Sequence, residues 1–177
     1  MASVFLHFNW WHLISNLIVL GVWGGCLEKV LGRVEMLAIF LLAGLWGSLM
    51  SDLYGPNVLA MGASGAVFAM VAAVLVLALL AGDWSQWEGD SRRWLTVSLV
   101  ALALNALSAV GFAGFVQGVR LDHWAHGGGA LCGLLLGLAS ALAGPQRRRP
   151  AFWATAVALS LAAGLFIASR GPSPFGG

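Results

Sequence analysis

Apolar residues in this chain come in long uninterrupted runs, not in the alternating or one-faced stripes of a soluble protein. A hydrocarbon core of about 30 Å needs roughly 20 helical residues to cross it. Six runs of about that size are predicted to be helices: Asn9 to Leu27, Val34 to Ser51, Met61 to Ala81, Trp94 to Phe115, Asp122 to Ala143 and Ala151 to Ser169. Asn9 stands where an N-cap would start the first. The breaks between runs are polar or turn-forming: Glu28, Lys29 and Arg33, then Asp52 with Tyr54-Gly55-Pro56-Asn57, then Asp83 to Arg93, then Pro145-Gln146-Arg147-Arg148-Arg149-Pro150. The tail 170–177 is rich in Pro and Gly and is expected to be loose.

Composition turns this pattern into a solvent argument. With 60% hydrophobic and 9% charged residues, the 177-residue chain cannot cover a soluble domain with polar surface, and its mean hydropathy of +0.88 excludes disorder. The expected fold class is an all-α polytopic membrane protein whose first partner is the lipid bilayer. A net charge of +2 does not imply nucleic acid, because the basic residues sit in short clusters between apolar runs and form no stripe. Lys29, Arg33, Arg92, Arg93 and Arg147 to Arg149 fall in one set of alternate loops, and Arg120 and Arg170 in the other. Lys and Arg are retained in the cytoplasm, so the richer side is expected to be cytoplasmic, with Met1 outside. A prokaryotic plasma membrane is the expected location. Cys26 and Cys132 lie inside apolar runs and read as small buried hydrophobes.

Polar groups inside a membrane are costly and therefore informative. His12 and Asn16, spaced i, i+4, share one face of the first predicted helix. Ser64 lies just inside the third, and His126 just inside the fifth. With alternating helices all four come to a similar depth. Each has a structural alternative: a membrane Ser often bonds back to a carbonyl one turn earlier, a lone His can be structural or a proton relay, and Asn can join helices. Together they are a nucleophile type, a base type and two side-chain donors, the parts an acyl-transfer site needs. Small residues offer a way to bring them together. Gly129, Gly133 and Gly137 follow His126 on nearly one face, and Gly65, Ala69 and Ala72 make a comparable stripe beside Ser64.

Three motifs carry a resemblance: His12-Leu13-Ile14-Ser15-Asn16 (HxxxN), Gly62-Ala63-Ser64-Gly65 (GxSG) and His126-Gly127-Gly128-Gly129 continuing to Gly133 (HxxGxxxG). In this order, each on its own predicted helix, they resemble the rhomboid family of intramembrane serine proteases over roughly residues 5 to 143. Gly25 to Gly32 and Tyr54-Gly55-Pro56 look like further family segments. The resemblance implies a rhomboid-like bundle in which the six runs are family helices two to six plus an additional C-terminal helix. It implies a Ser-His dyad: Ser64 as nucleophile, His126 as general base and acid, and an oxyanion held by the Ser64 backbone N–H with the side chains of His12 and Asn16. Gly62, Gly65, Gly129 and Gly133 would support the site. Phe68 stands where the family often has a Tyr packed on the base, and His7 matches a recurrent loop His. His123 is the rival base; His126 is favoured because it owns the glycine stripe.

The chain then divides into a catalytic core, 1–144, a basic cytoplasmic loop, 145–150, an additional helix, 151–169, and the tail, 170–177. Family members carry a further helix and a long loop before His7, and only six residues precede it here, so the chain is expected to lack them. The expected function is a serine endopeptidase cutting transmembrane protein substrates, which enter past the fourth helix, with the site toward the non-cytoplasmic side. The alternative is an impaired rhomboid-like protein that binds membrane clients without cleaving them. No cofactor or metal is implied: HExxH is missing, and four neutral histidines make a poor cation path.

Overall fold

The computed structural model describes residues 5–7, 10–55, 62–80 and 122–170, with Thr96, Val97, Leu99, Val100 and Ala103 as separate helical positions. The rest of the expected fourth helix, the expected N-cap Asn9 and the Pro56-Asn57 turn lie outside the described residues. Among those described every element is helical. The first, α1, runs as Trp10–Val19, a π-helical turn Leu20–Gly24 and then Gly25–Val30. The wide turn falls in a glycine-rich stretch, at Gly21, Gly24 and Gly25. Helices α2 (Arg33–Tyr54), α3 (Ser64–Leu80), α4 (His123–Leu142) and α5 (Gly144–Ser169) follow. His12–Val30, α2, α4 and α5 are each long and apolar enough to cross a membrane, and α3 is a shorter apolar helix.

α4 is the hub. It packs along α3 most extensively, then along α2 and α5. Its contact with α3 is a matter of missing side chains. A Cβ on Gly129 would run into the Gly65 carbonyl oxygen, one on Gly133 into that of Ala69, and one on Gly137 into the Ala73 backbone. The small-residue stripe of α3 therefore runs Gly65, Ala69, Ala73, and Ala72, expected as its third member, gives way to its neighbour. The reason is geometric: α4 presents its glycines at i, i+4, i+8, and a ridge of that inclination fits a partner ridge of the same spacing. In lipid no hydrophobic force drives helices together, so this close approach and its dispersion contacts supply the association.

α3 is buried along almost its whole length, from Gly65 to Ala78. Its 17 described residues span about 26 Å at 1.5 Å per residue, with Ser64 at the first position. Leu27, Ile39, Met70, Leu77, Leu136 and Phe152 fill the core around it, whereas Trp10, Leu17, Ile18, Leu161 and Leu165 face outward. Outward leucines need no partner when the solvent is lipid.

The start of α5 corrects the sequence reading. Residues 145–150, expected as a loop, are the first turns of α5. Pro145 tolerates the first turn, where its missing N–H has no helical acceptor to serve. Arg148 Nη1 donates to the Val30 carbonyl at 3.3 Å, and Arg149 Nε donates to Glu35 Oε1 at 2.7 Å. Glu35 lies within the second apolar run yet is only 1% exposed; Trp153 Nε1 also donates to it, at 3.2 Å. Gly32, at φ 110°, makes room: a Cβ there would sit 2.7 Å from the Glu35 carboxylate. At the other end of α5, Arg170 pairs with Asp52 of α2 at 2.5 Å. Cys26 and Cys132 are both free, with Cys132 buried and Cys26 half-buried, as small core residues.

Candidate active site

Ser64 owes its position to Gly62. That residue has φ 112°, a left-handed conformation open to glycine and strained for other residues, and it turns the chain into α3. Helical bonding begins at once, with the Val67 N–H donating to the Ala63 carbonyl at 2.9 Å. Ser64 thus stands in the first turn, where backbone N–H groups lack intrahelical acceptors and the helix dipole favours negative charge.

Opposite stands His126, in the first turn of α4 and 5% exposed. Its Nε2 lies 2.7 Å from Ser64 Oγ. The hydroxyl and the imidazole come from residues 62 positions apart, and the glycine stripe is what lets their helices approach. The Phe68 ring, one turn beyond Ser64, covers the imidazole, with centroids 4.7 Å apart and planes tilted by 33°. His123, the rival base, lies one turn earlier, and the described hydrogen bond to Ser64 comes from His126.

α1 completes the cluster. A Cβ on Gly62 would lie 2.5 Å from His12 Cε1, 2.9 Å from His12 Nε2 and 3.5 Å from Asn16 Nδ2, so both side chains reach the turn leading into Ser64. Asn16 is 7% exposed, and its buried Nδ2 has no hydrogen-bond acceptor among the described residues. A buried donor of that kind is costly unless something fills the space beside it. The His7 ring meets the His12 ring edge-on at 5.3 Å. Ser64, His126, His12, Asn16, Gly62, Phe68 and His7 thus lie together here, while Gly65, Gly129 and Gly133 lie where α3 and α4 touch.

The comparisons with known proteins can be set against this geometry. The sequence matches the family profile of the Rhomboid domain over residues 1–142. The chain belongs to the rhomboid family. It is similar to RHOMBOID-like protein 5 of Arabidopsis thaliana, 35% identical over 140 residues covering 77% of this chain and 42% of the relative. Rhomboid-like protein 11, chloroplastic, of the same plant is 32% identical over 147 residues, 77% of this chain and 50% of that one. Rhomboid-type serine protease 2 of Emericella nidulans is 33% identical over 140 residues, 78% of this chain and 26% of that one. This rhomboid chain thus spans half or less of the length of these relatives. They overturn one expectation: plant, chloroplast and fungal proteins are eukaryotic, against the prokaryotic plasma membrane read from the sequence. The multi-pass membrane character stands.

Sequence reasoning passes over two rhomboid residues near the site. In the sequence Ser51 is only the end of an apolar run, and Asp122 is the acid four residues before His126, read as lying at the aqueous edge. An Asp directly before a helix is an N-cap signal, and it points to Asp122. Nothing in the local sequence points to Ser51.

Proposed function

We propose that this rhomboid protein is an intramembrane serine endopeptidase acting on transmembrane protein substrates. On this reading its six apolar runs correspond to family helices two to six and one additional helix. The observation that carries the reading is the 2.7 Å approach of Ser64 Oγ to His126 Nε2. Hydrogen-bond reach between a hydroxyl and an imidazole is the requirement for general-base activation of a serine.

Ser64 Oγ attacks the scissile carbonyl carbon as its proton passes to His126 Nε2. The carbonyl oxygen becomes an oxyanion, taken up by the Ser64 backbone N–H and the side chains of His12 and Asn16. Asn16 Nδ2, beside Gly62 and without an acceptor among the described residues, supports that role. His126 then gives its proton to the leaving amine, the C–N bond breaks, and Ser64 holds the acyl group as an ester. Water, deprotonated by His126, releases the acid and restores the hydroxyl. Phe68 holds the imidazole plane through both steps. His7 braces His12.

The test is cleavage of a model transmembrane substrate by protein reconstituted in liposomes. Ser64→Ala and His126→Ala should each abolish turnover, since nucleophile and base act as one unit. Turnover surviving in Ser64→Ala would refute the serine mechanism. A folded wild type that binds the substrate and never cuts it would favour client binding without catalysis.

A further inference from the structure

Hydroxyls divide the described helical serines into two groups. Ser48, Ser140 and Ser160 donate to carbonyls four residues back, and Ser15 and Ser169 to carbonyls three back, each within its own helix. Ser51 and Ser64 instead reach another helix, and in both cases it is the start of α4. Ser64 meets His126, and Ser51, 3% exposed, donates to Asp122 Oδ2 at 2.5 Å. The other carboxylate oxygen, Oδ1, accepts the Ala125 N–H at 2.9 Å, and the Asp122 carbonyl accepts the His126 N–H at 3.1 Å. Asp122 thus bonds to both the turn that carries the general base and the last turn of α2.

We propose that Asp122, anchored by Ser51, is a positioning residue that sets the height and rotation of His126 over Ser64; this deepens the serine-protease reading and rests on it. The anchor has the right place. Gly47 of α2 brings its backbone close to the Ala125 carbonyl, where a Cβ would lie 2.7 Å from the oxygen, and Tyr54 packs on Trp124 with ring centroids 4.7 Å apart. Both contacts join the C-terminal half of α2 to the first turn of α4, one turn or less from His126. The glycine contact between α3 and α4 fixes how closely those helices approach, but smooth surfaces resist sliding and rotation poorly. A directional bond to a residue one turn before His126 supplies the missing constraint. Its value lies in registry: small misplacements of a catalytic group cost large factors in rate.

The test compares Asp122→Ala, Asp122→Asn and Ser51→Ala with wild type by liposome cleavage kinetics and by amide hydrogen exchange at Ala125 and His126. Asn keeps a cap oxygen for Ala125 and can donate its amide to Ser51 Oγ, so the tie survives with one bond reversed. Asp122→Ala should lower kcat about 10- to 100-fold with KM within about 3-fold, Asp122→Asn should recover to within about 5-fold of wild type, and Ser51→Ala, whose cap is intact, should fall between. Ala125 should exchange about 10-fold faster in Asp122→Ala and at the wild-type rate in Asp122→Asn. Wild-type kcat in Asp122→Ala, an Asn variant no better than Ala, or unchanged exchange in Asp122→Ala would each overturn the proposal. Should wild type cut nothing, the protease reading fails, while the exchange rates still decide whether the Asp122 tie holds this turn.

Discussion

Asn16 is where the catalytic and structural readings of a polar membrane residue separate in a measurement. If its amide stabilises an oxyanion, Asn16→Ala should lower kcat by up to about 100- to 1000-fold and leave KM and melting temperature nearly unchanged. If it only joins helices, thermal stability falls instead and the rate per folded molecule holds. Gly62 gives a second residue-scale prediction. Gly62→Ala places a Cβ against the His12 ring at a φ of 112°, so it should impair both folding and turnover, read as melting temperature and kcat on one preparation. His12 and Asn16 are legible in the sequence because i, i+4 spacing declares a shared helix face. Ser51 is not, because its partner lies 71 positions away and no local pattern says which way a hydroxyl turns.

Helices are legible as apolar runs, and their faces are legible wherever small residues repeat, as at Gly129 and Gly133. Ala73 replaces Ala72 because the spacing of the facing helix decides between adjacent alanines, and a single helix does not contain that information. The segment 145–150 misleads for a different reason: two prolines and three arginines read as a loop, but Val30 and Glu35 offer acceptors to Arg148 and Arg149 that become visible only after folding. One prediction belongs to the α3–α4 contact. Gly133→Ala sets a methyl group against the Ala69 carbonyl and should cost about 1–3 kcal/mol or more, whereas Gly127→Ala, with nothing within 4 Å of the added Cβ, should be neutral or stabilising by up to about 1 kcal/mol. Unfolding in SDS-containing mixed micelles compares the pair; equal effects would mean that the contact is not as close as described.

Across the molecule, α5 is fastened at both ends, by Arg149 and Trp153 to the buried Glu35 and by Arg170 to Asp52. The two fastenings are unequal. Arg170 and Asp52 are well exposed, and such pairs contribute little. Glu35 is buried, so Arg149→Ala leaves its carboxylate with one fewer donor and should cost about 1–3 kcal/mol, while Arg147→Ala, exposed on the same helix, should change the melting temperature little. The packing of the bundle and its small-residue stripe have one consequence, that Ser64 Oγ meets His126 Nε2 where α3 and α4 begin. The most direct measurement of that consequence is covalent labelling of the reconstituted protein with a fluorophosphonate, followed by intact-mass and peptide mass spectrometry. The account predicts a single adduct on Ser64 that disappears in His126→Ala although the serine is still present. An adduct on another residue, or labelling of Ser64 that proceeds equally well without His126, would contradict it.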